Sequence, residues 1–307
     1  FKLHAWLHAS IPSFEGYEEK IATDREGYDL YYNTCSYCFH HHEKESMGAV
    51  LGHIYCDKCD RFQTVVKWNF SKRFRGKPKG KPLLYPATME ETREYLKQFI
   101  ITKRSAACQC SSMWCPSGNL LPAIMQLRYA FRKICSTMEP IPRGWDDELN
   151  KESLELFTAT CMEIMECHGY TYPRALVPLD YKVTAETPLL LYSADGSQEG
   201  LGCTCHLVTE MSDKDPNKTD GKVHTVRLIK ASARLLPLKG ASIPRSEMDG
   251  MVALSNLKQE VESYIKDTGI PIQKHLVVCD STTVIRQLRS KSQYYNPWSL
   301  ARIRHVQ

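Results

Sequence analysis

Three carboxylates in the second half of the chain are the residues best suited to chemistry. Asp195 follows the largely apolar run 189–194, Asp280 follows the apolar run 276–279, and Glu247 stands at the start of a helical pattern. Apolar runs of this length predict strands, so both aspartates are expected at strand ends and Glu247 in the first turn of a helix. Hard divalent cations bind where several carboxylate oxygens converge. The order of the three residues therefore predicts a two-metal site of the kind that hydrolyses nucleic-acid backbones.

Each carboxylate also has a purely structural interpretation. Asp195-Gly196-Ser197 is a good turn sequence, Glu247 suits a helix N-terminus, and Asp280 can cap the helix that follows it. The metal interpretation depends on all three occurring together and in this order, whereas the structural interpretation treats each residue alone.

Two cysteine pairs form a second group with a chemical meaning. Their spacing is C-x2-C-x17-C-x2-C, and the members are Cys35, Cys38, Cys56 and Cys59. Two such pairs can close a tetrahedral thiolate site, for which zinc is the usual metal. Four protein ligands leave no open position, so we expect a structural role. Nearby residues that could substitute as ligands are His40, His41, His42 and His53. The alternative is that the thiols are free.

Residues 67–81 form a basic stretch with seven cations and three aromatic side chains. Flexible cations neutralise phosphates, and aromatic rings stack on unpaired bases, so the stretch is a candidate for nucleic-acid binding. The candidate residues are Lys72, Arg73, Arg75, Lys77, Lys79 and Lys81. The alternative is an ordinary solvated loop.

Composition sets limits on the class of protein. The chain has 307 residues, 42% of them hydrophobic, which is enough for about two domains with real cores. A net charge of +5 is too small to indicate nucleic-acid binding by itself. No apolar run reaches the roughly 18–20 residues that cross a bilayer, so no membrane association is expected.

The 13 cysteines are an odd number, and several stand in apolar segments as buried thiols do, which predicts an intracellular, reducing compartment. The cysteines in these segments are Cys135, Cys161, Cys167 and Cys279.

The hydrophobic pattern predicts an α/β chain with several domains. Residues 1–85 are loop-rich, residues 86–180 are helical, and residues 181–307 form a mixed sheet with flanking helices. A capping box at Thr88–Glu91 and an N-cap at Asn150 begin two of the helices. Further helices are expected over about 119–138, 244–267 and from 298. Strands are expected at 189–194, 200–210, 224–235 and 275–279.

Several of these motifs resemble the polymerase polyprotein of BEL/Pao-type LTR retrotransposons. The segments 230–239 and Ser242-Ile243-Pro244-Arg245-Ser246-Glu247 are similar to the ribonuclease H stretch of that family, as is Val278-Cys279-Asp280-Ser281-Thr282. Upstream segments resemble the regions that follow the polymerase palm in that family. They are 1–6, 50–52, 101–104, 116–122 and 144–149.

The resemblance implies part of a retroelement reverse transcriptase, an RNA-directed DNA polymerase. Residues 1–85 would be a thumb-side segment with a zinc knuckle, 86–180 a helical connection region, and 181–307 a C-terminally truncated ribonuclease H-like domain. The domain would use Asp195, Glu247 and Asp280 with Mg²⁺ or Mn²⁺ to hydrolyse the RNA strand of RNA–DNA hybrids. A fourth carboxylate is expected beyond Gln307, so this segment alone is not expected to suffice for hydrolysis.

The resemblance also implies partners and a location. The upstream region would grip the template–primer duplex, and the palm, fingers and integrase of the same polyprotein would be partners. The location would be a cytoplasmic virus-like particle or the nucleus. The alternative function is a domesticated or inactive scaffold protein that binds nucleic acid through a zinc finger and a degenerate nuclease fold.

Overall fold

The computed structural model describes most of the chain in two compact units. The described residues are 34–40, 49–50, 53–71, 73–74, 77–78, 80–113, 115, 117–136, 144–177, 181–183, 188–213, 223–237, 241–291 and 295–307. Unit 1 draws on 1–114 and 122–174, and unit 2 on 115–121 and 175–307. The sequence-based division into three regions stays a prediction.

Three of the four described helices of unit 1, α1, α2 and α4, begin at a local capping residue. They are α1 (Met89–Leu96), α2 (Lys103–Ser112), α3 (Leu121–Ser136) and α4 (Lys151–Met165). Thr88 and Glu91 complete the predicted capping box, and the Asn150 side chain accepts from the Ser153 N–H at the start of α4. These caps satisfy backbone donors that have no partner inside the helix.

Short antiparallel strands occupy the part of unit 1 that the sequence predicted as loop-rich. One sheet has the order β1 (Ala49–Val50), β2 (His53–Cys56), β3 (Arg61–Thr64) and β8 (Thr171–Pro173). Two hairpins pair β4 (Lys67–Trp68) with β7 (Leu83–Leu84), and β5 (Arg73–Phe74) with β6 (Lys77–Pro78). The prediction missed these strands because each has only two to four residues.

The core of unit 1 lies between its helices and β4. Phe157, Leu127 and Ile164 are fully buried, and Trp68 is buried with its indole N–H donating to the Cys161 carbonyl at 3.2 Å. Burial of Cys161 and Cys167 confirms the prediction for those two thiols. The prediction was wrong for Cys135, which is exposed because it lies beside, and not on, the buried stripe of α3.

Unit 2 is a mixed sheet with three helices. Its strands are β9 (Tyr181–Val183), β10 (Leu189–Gly196), β11 (Gly200–Asp213), β12 (Val223–Leu235) and β13 (Lys274–Val278). The order is β12-β11-β10-β13, and β9 pairs with the end of β11. The pairing of β10 with β11 is antiparallel, whereas β10 with β13 is parallel. Its helices are α5 (Ile243–Thr268), α6 (Thr282–Arg289) and α7 (Pro297–Val306).

The core of unit 2 lies between α5 and one face of the sheet. Alternate residues of the central strands are buried, including Leu190, Tyr192 and Cys205, and they pack against residues of α5 such as Leu254 and Val261. Because side chains alternate across a strand, the neighbours of these core residues face the other side of the sheet. In the described part of the chain, no helix is long and apolar enough to cross a membrane.

Acid should destabilise unit 1 through His168. Its side chain is buried, its Nδ1 lies 3.2 Å from the Val66 N–H, and burial lowers its pKa from 6.5 to about 4. Between these values the unfolded chain binds the proton more readily, so the free energy of unfolding should fall with falling pH, by up to about 3 kcal/mol. Denaturant unfolding from pH 7.5 to 4.5 measures this. His168→Gln should flatten the dependence, whereas the exposed His305→Gln should not. Equal slopes for His168→Gln and the unsubstituted protein would contradict the assignment.

Candidate functional site

The parallel pairing of β10 with β13 brings two of the predicted carboxylates to one end of the sheet. Ser193 of β10 lies opposite Val278 of β13. Asp195 and Asp280 each follow two residues later, so the same register would place Asp195 opposite Asp280. Both aspartates are exposed, at the carboxyl ends of their strands. The predicted position of the two residues at strand ends is therefore confirmed.

The start of α5 lies directly against the end of β10, which brings in Glu247. Glu247 is the fifth residue of α5, so the prediction that it lies in the first turn was wrong. A Cβ atom at Gly196 would lie 2.5 Å from the carbonyl carbon and oxygen of Ser246, and 2.7 Å from the Glu247 nitrogen. Glycine at 196 thus permits the backbone of the strand and the backbone of the helix to touch. One turn later, a Cβ at Gly250 would lie 3.4 Å from the Asp195 carbonyl oxygen. Glu247 is half-buried at this contact.

Ser281 links the third carboxylate segment to Glu247. Its hydroxyl donates to Glu247 Oε2 at 2.7 Å, and its oxygen accepts from the Val284 N–H at 3.3 Å. Ser281 is therefore the N-cap of α6, and the interpretation of Asp280 as that cap was wrong. The sequence analysis missed this residue, although a serine just before a helical pattern was an available signal.

The Cys279 thiol reports the electrostatic field at this end of the sheet. Burial raises its pKa, and the negative charges of Asp280, Glu247 and Asp195 raise it further. All three carboxylates are therefore close enough to the Cys279 thiol to raise its pKa. Their oxygens do not converge as closely as the four cysteine sulfurs do, which form the one candidate metal group found among the described residues.

The four predicted cysteines come together in unit 1. Their sulfur atoms all lie within 4.8 Å of one another. Cys35 Sγ is 3.7 Å from Cys59 Sγ, and Cys38 Sγ is 3.5 Å from Cys56 Sγ. The group includes neither His40 nor His53, while His41 and His42 lie outside the described residues. Four sulfur donors at these distances match the donor set that zinc prefers.

The backbone after each cysteine pair turns in the same way. Phe39 and Asp60, the residues that follow Cys38 and Cys59, have φ angles of 55° and 53°. This left-handed conformation is uncommon for residues other than glycine. It occurs at equivalent positions of the two pairs, so the two halves of the cysteine centre share one local geometry. The Phe39 N–H donates to the Cys35 carbonyl at 2.8 Å, which closes the first turn.

The thiols of this centre influence one another. Burial raises the pKa of Cys56 to about 11 and raises that of Cys59 further. Burial also opposes ionisation of Cys38, but hydrogen bonds from the His40 backbone and the neighbouring thiols outweigh it and lower the pKa of Cys38.

Polar contacts connect the cysteine centre to Arg174, the residue that follows β8. Asp60 receives two hydrogen bonds from the Arg174 guanidinium, at 2.5 and 3.1 Å, and one from the Tyr55 hydroxyl at 2.7 Å. The guanidinium holds the pKa of Asp60 below its usual value. On the other side, the buried Gln63 accepts from the Ser36 N–H at 2.7 Å. The centre therefore joins segments of unit 1 that are more than a hundred residues apart in sequence.

The basic stretch is described only in part. Arg73 and Lys77 belong to the β5–β6 hairpin, and Lys81 is exposed. Lys72, Arg75 and Lys79 lie outside the described residues. Nucleic-acid binding by this stretch stays a prediction.

The fold of unit 2 and its carboxylates define a class. Three antiparallel strands, a helix and then a strand parallel to the first, with carboxylates at the strand ends, are the arrangement expected of a ribonuclease H-like domain. The family model described as "Pao retrotransposon-like RNaseH-like domain" matches residues 102–281, more than half of the chain. The chain belongs to this family, which confirms the resemblance to BEL/Pao elements. The match contains all three carboxylates but not the four cysteines or the basic stretch. No curated protein matches the chain.

Replacing Ser281 should destabilise unit 2. Ser281→Ala removes the α6 cap and the donor to Glu247, so the free energy of unfolding should fall by about 1–3 kcal/mol. Ser281→Asn keeps a capping oxygen and should recover part of that loss. Ser263→Ala on α5, which removes an exposed hydroxyl, should change stability by less than about 0.5 kcal/mol. The free energy of unfolding is measured by denaturant titration. Equal free energies for Ser281→Ala and Ser263→Ala would contradict the role of Ser281.

Proposed function

We propose that this chain is the ribonuclease H region of a retroelement reverse transcriptase and that it hydrolyses the RNA strand of RNA–DNA hybrids. The observation that carries the proposal is the parallel register of Ser193 with Val278, which sets Asp195 beside Asp280. The backbone contact at Gly196 adds Glu247 to the same end of the sheet. Membership of the Pao family supports a retroelement origin.

The three carboxylates are the residues proposed to hold two divalent ions, Mg²⁺ or Mn²⁺. When bound, the ions activate the attacking water and stabilise the leaving 3′ oxygen. Asp195 lies in the hydrogen-bonded strand β10, and Asp280 follows the end of β13 by two residues. Ser281 donates to Oε2 of Glu247 and orients this carboxylate while Oε1 stays available as a ligand. Oxygen donors of this kind suit Mg²⁺ and Mn²⁺ better than soft metals.

The cysteine centre is proposed to hold a structural zinc ion. Four sulfur donors fill a tetrahedral shell, so no position remains for water or substrate. Zinc would fix the two turns at Phe39 and Asp60 and, through the Asp60–Arg174 pair, the position of β8. Thiolate binding requires the thiols to lose their protons, so zinc affinity should fall at low pH.

The remaining assignments follow from the family. Unit 1, with the basic stretch 67–81, is proposed to grip the template–primer duplex. The palm, fingers and integrase of the same polyprotein are proposed partners, inside a cytoplasmic particle or the nucleus. Free cysteines throughout the described residues are consistent with an intracellular setting.

Zinc analysis tests the cysteine centre. The purified chain should contain one zinc ion. Cys38→Ser combined with Cys56→Ser should abolish zinc binding and lower the melting temperature of unit 1 by about 10 °C or more, because metal binding adds to folding stability. Cys108→Ser combined with Cys135→Ser removes two exposed thiols and should leave the zinc content unchanged. A metal-free protein with full stability would refute the zinc assignment.

Hydrolysis of a labelled RNA strand in an RNA–DNA hybrid tests the nuclease. With Mg²⁺ or Mn²⁺, cleavage by a protein that contains this chain and the carboxylate expected beyond Gln307 should fall by more than about 100-fold in Asp195→Asn. Losing a metal ligand costs more than losing a group that only orients a ligand, which costs about 10- to 100-fold. Asp267→Asn, about 30 Å from Glu247 along α5, is the matched control and should retain cleavage. Hybrid binding without cleavage, together with unchanged Mn²⁺ affinity in Asp195→Asn, would instead favour the inactive binding protein.

A further inference from the structure

The net positive charge of the chain is concentrated in its last 27 residues. The chain has 40 basic and 35 acidic side chains. Five of the basic side chains and none of the acidic ones follow Asp280, so residues 1–280 contain 35 of each and are balanced. The five are Arg286, Arg289, Lys291, Arg302 and Arg304. Segment 281–307 therefore accounts for the whole net charge of +5.

Four of these five cations are exposed and have no acidic partner among the described residues. Arg286, Arg289, Lys291 and Arg304 all point to solvent, and none makes an ion pair with a described residue. Some cations elsewhere in unit 2 have acidic partners, as in Lys230 with Glu260 and Lys258 with Glu262. Exposed cations without partners keep their full capacity to bind an anion. We call these four residues and Arg245 the basic surface.

Packing contacts hold the helices that carry the basic surface in place. On α6, Arg286 and Arg289 are three residues apart and share one face, while Val284 is buried on the other side. Helix α7 docks on α5 through Arg302, whose Nε donates to Asp249 Oδ1 at 2.5 Å and whose guanidinium lies 3.8 Å from the centre of the Trp298 ring. The exposed Arg245, in the first turn of α5, lies 5.2 Å from the same ring.

The basic surface begins at the carboxylate site. Ser281 both bonds Glu247 and caps α6, so α6 starts at the carboxylates and runs away from them. Arg289 lies about 12 Å along the helix from Ser281. A nucleic-acid strand advances about 3.4 Å per nucleotide, so this length corresponds to three or four nucleotides. Arg245 precedes Glu247 by two residues and lies in the first turn of α5.

We propose that the basic surface of α5, α6 and α7 binds the phosphate backbone of the nucleic acid whose scissile phosphate enters the carboxylate site. The proposal rests on the proposed function. It assigns backbone binding to residues outside the basic stretch 67–81. Because guanidinium groups contact phosphates and not base edges, the surface holds the substrate in position without selecting a sequence.

Salt-dependent hybrid binding tests the basic surface. The affinity of the 307-residue chain for a short labelled RNA–DNA hybrid is measured by fluorescence anisotropy without Mg²⁺, between about 0.05 and 0.2 M salt. Arg286→Gln combined with Arg289→Gln should weaken binding by about 10- to 100-fold and lower the slope of log K against log salt by about two, one for each lost phosphate contact. Circular dichroism should show an unchanged helix content.

The matched control removes the same charge at the far end of unit 2. Lys266 and Lys274 are exposed, and Lys274 pairs with Leu189, about 20 Å along β10 from Asp195. Lys266→Gln combined with Lys274→Gln should leave both the affinity and the slope near their original values. An equal loss in both double variants would show that only total charge matters, and an unchanged slope in the arginine variant would show no phosphate contact. Either result overturns the proposal.

Two further outcomes separate this proposal from the nuclease. If the arginine variant binds weakly but the unsubstituted protein never cleaves the hybrid, even with the carboxylate expected beyond Gln307 included, the basic surface stands and the nuclease fails. If cleavage depends on Asp195 while the arginine variant binds normally, the nuclease stands and the basic surface fails. Competition by polyglutamate as strong as that by unlabelled hybrid would indicate a general polyanion site and would also overturn the proposal.

Discussion

The parallel pairing of β10 with β13 is the constraint on which the carboxylate site depends. Asp195 and Asp280 are 85 residues apart in sequence, and only this pairing sets them side by side. Parallel neighbours require a crossover, and here α5 carries the chain from the edge strand β12 back to β13, so the same connection that closes the sheet also delivers Glu247. A register shift of one residue would turn every side chain of the shifted strand to the other face of the sheet. The buried contacts of α5 with Leu190, Tyr192 and Ala194 oppose such a shift.

Features that depend on neighbouring residues could be predicted from the sequence, and features that depend on distant ones could not. The capping box at Thr88 and the cap at Asn150 were correct because each involves residues three positions apart. The pairing of β3 with β8 joins residues about 110 positions apart, and no local pattern in a three-residue strand indicates it. The exposure of Cys135 depended on which face of α3 is covered, and a propensity argument could not decide that.

The same limit explains what was missed at the candidate site. Composition and order identified Asp195, Glu247 and Asp280, since oxygen-rich side chains after apolar runs have a recognisable pattern. The bond from Ser281 to Glu247 crosses 34 residues and became visible only with α5 and α6 in place. The basic surface is difficult to recognise in the sequence because its cations are more widely spaced than those of the stretch 67–81. The feature that distinguishes 281–307 is the lack of acidic residues.

The two candidate metal centres differ in how closely their donor atoms lie, and each spacing suits the chemistry proposed for it. Four sulfur atoms gather within 4.8 Å from two turns of similar conformation, so the cysteine centre is closed and suited to holding structure. The carboxylates stand further apart at an exposed sheet end, which leaves room for substrate. Three negative charges alone would repel a polyanion, and the Debye length of about 8–10 Å at ordinary salt is close to the length of α6 between Ser281 and Arg289. The cations of α6 therefore act within the range over which that repulsion is felt, and they offset it on the path that the backbone of a substrate would follow. Bound divalent ions would remove the repulsion at its source, so metal binding and hybrid binding should reinforce each other at this end of unit 2.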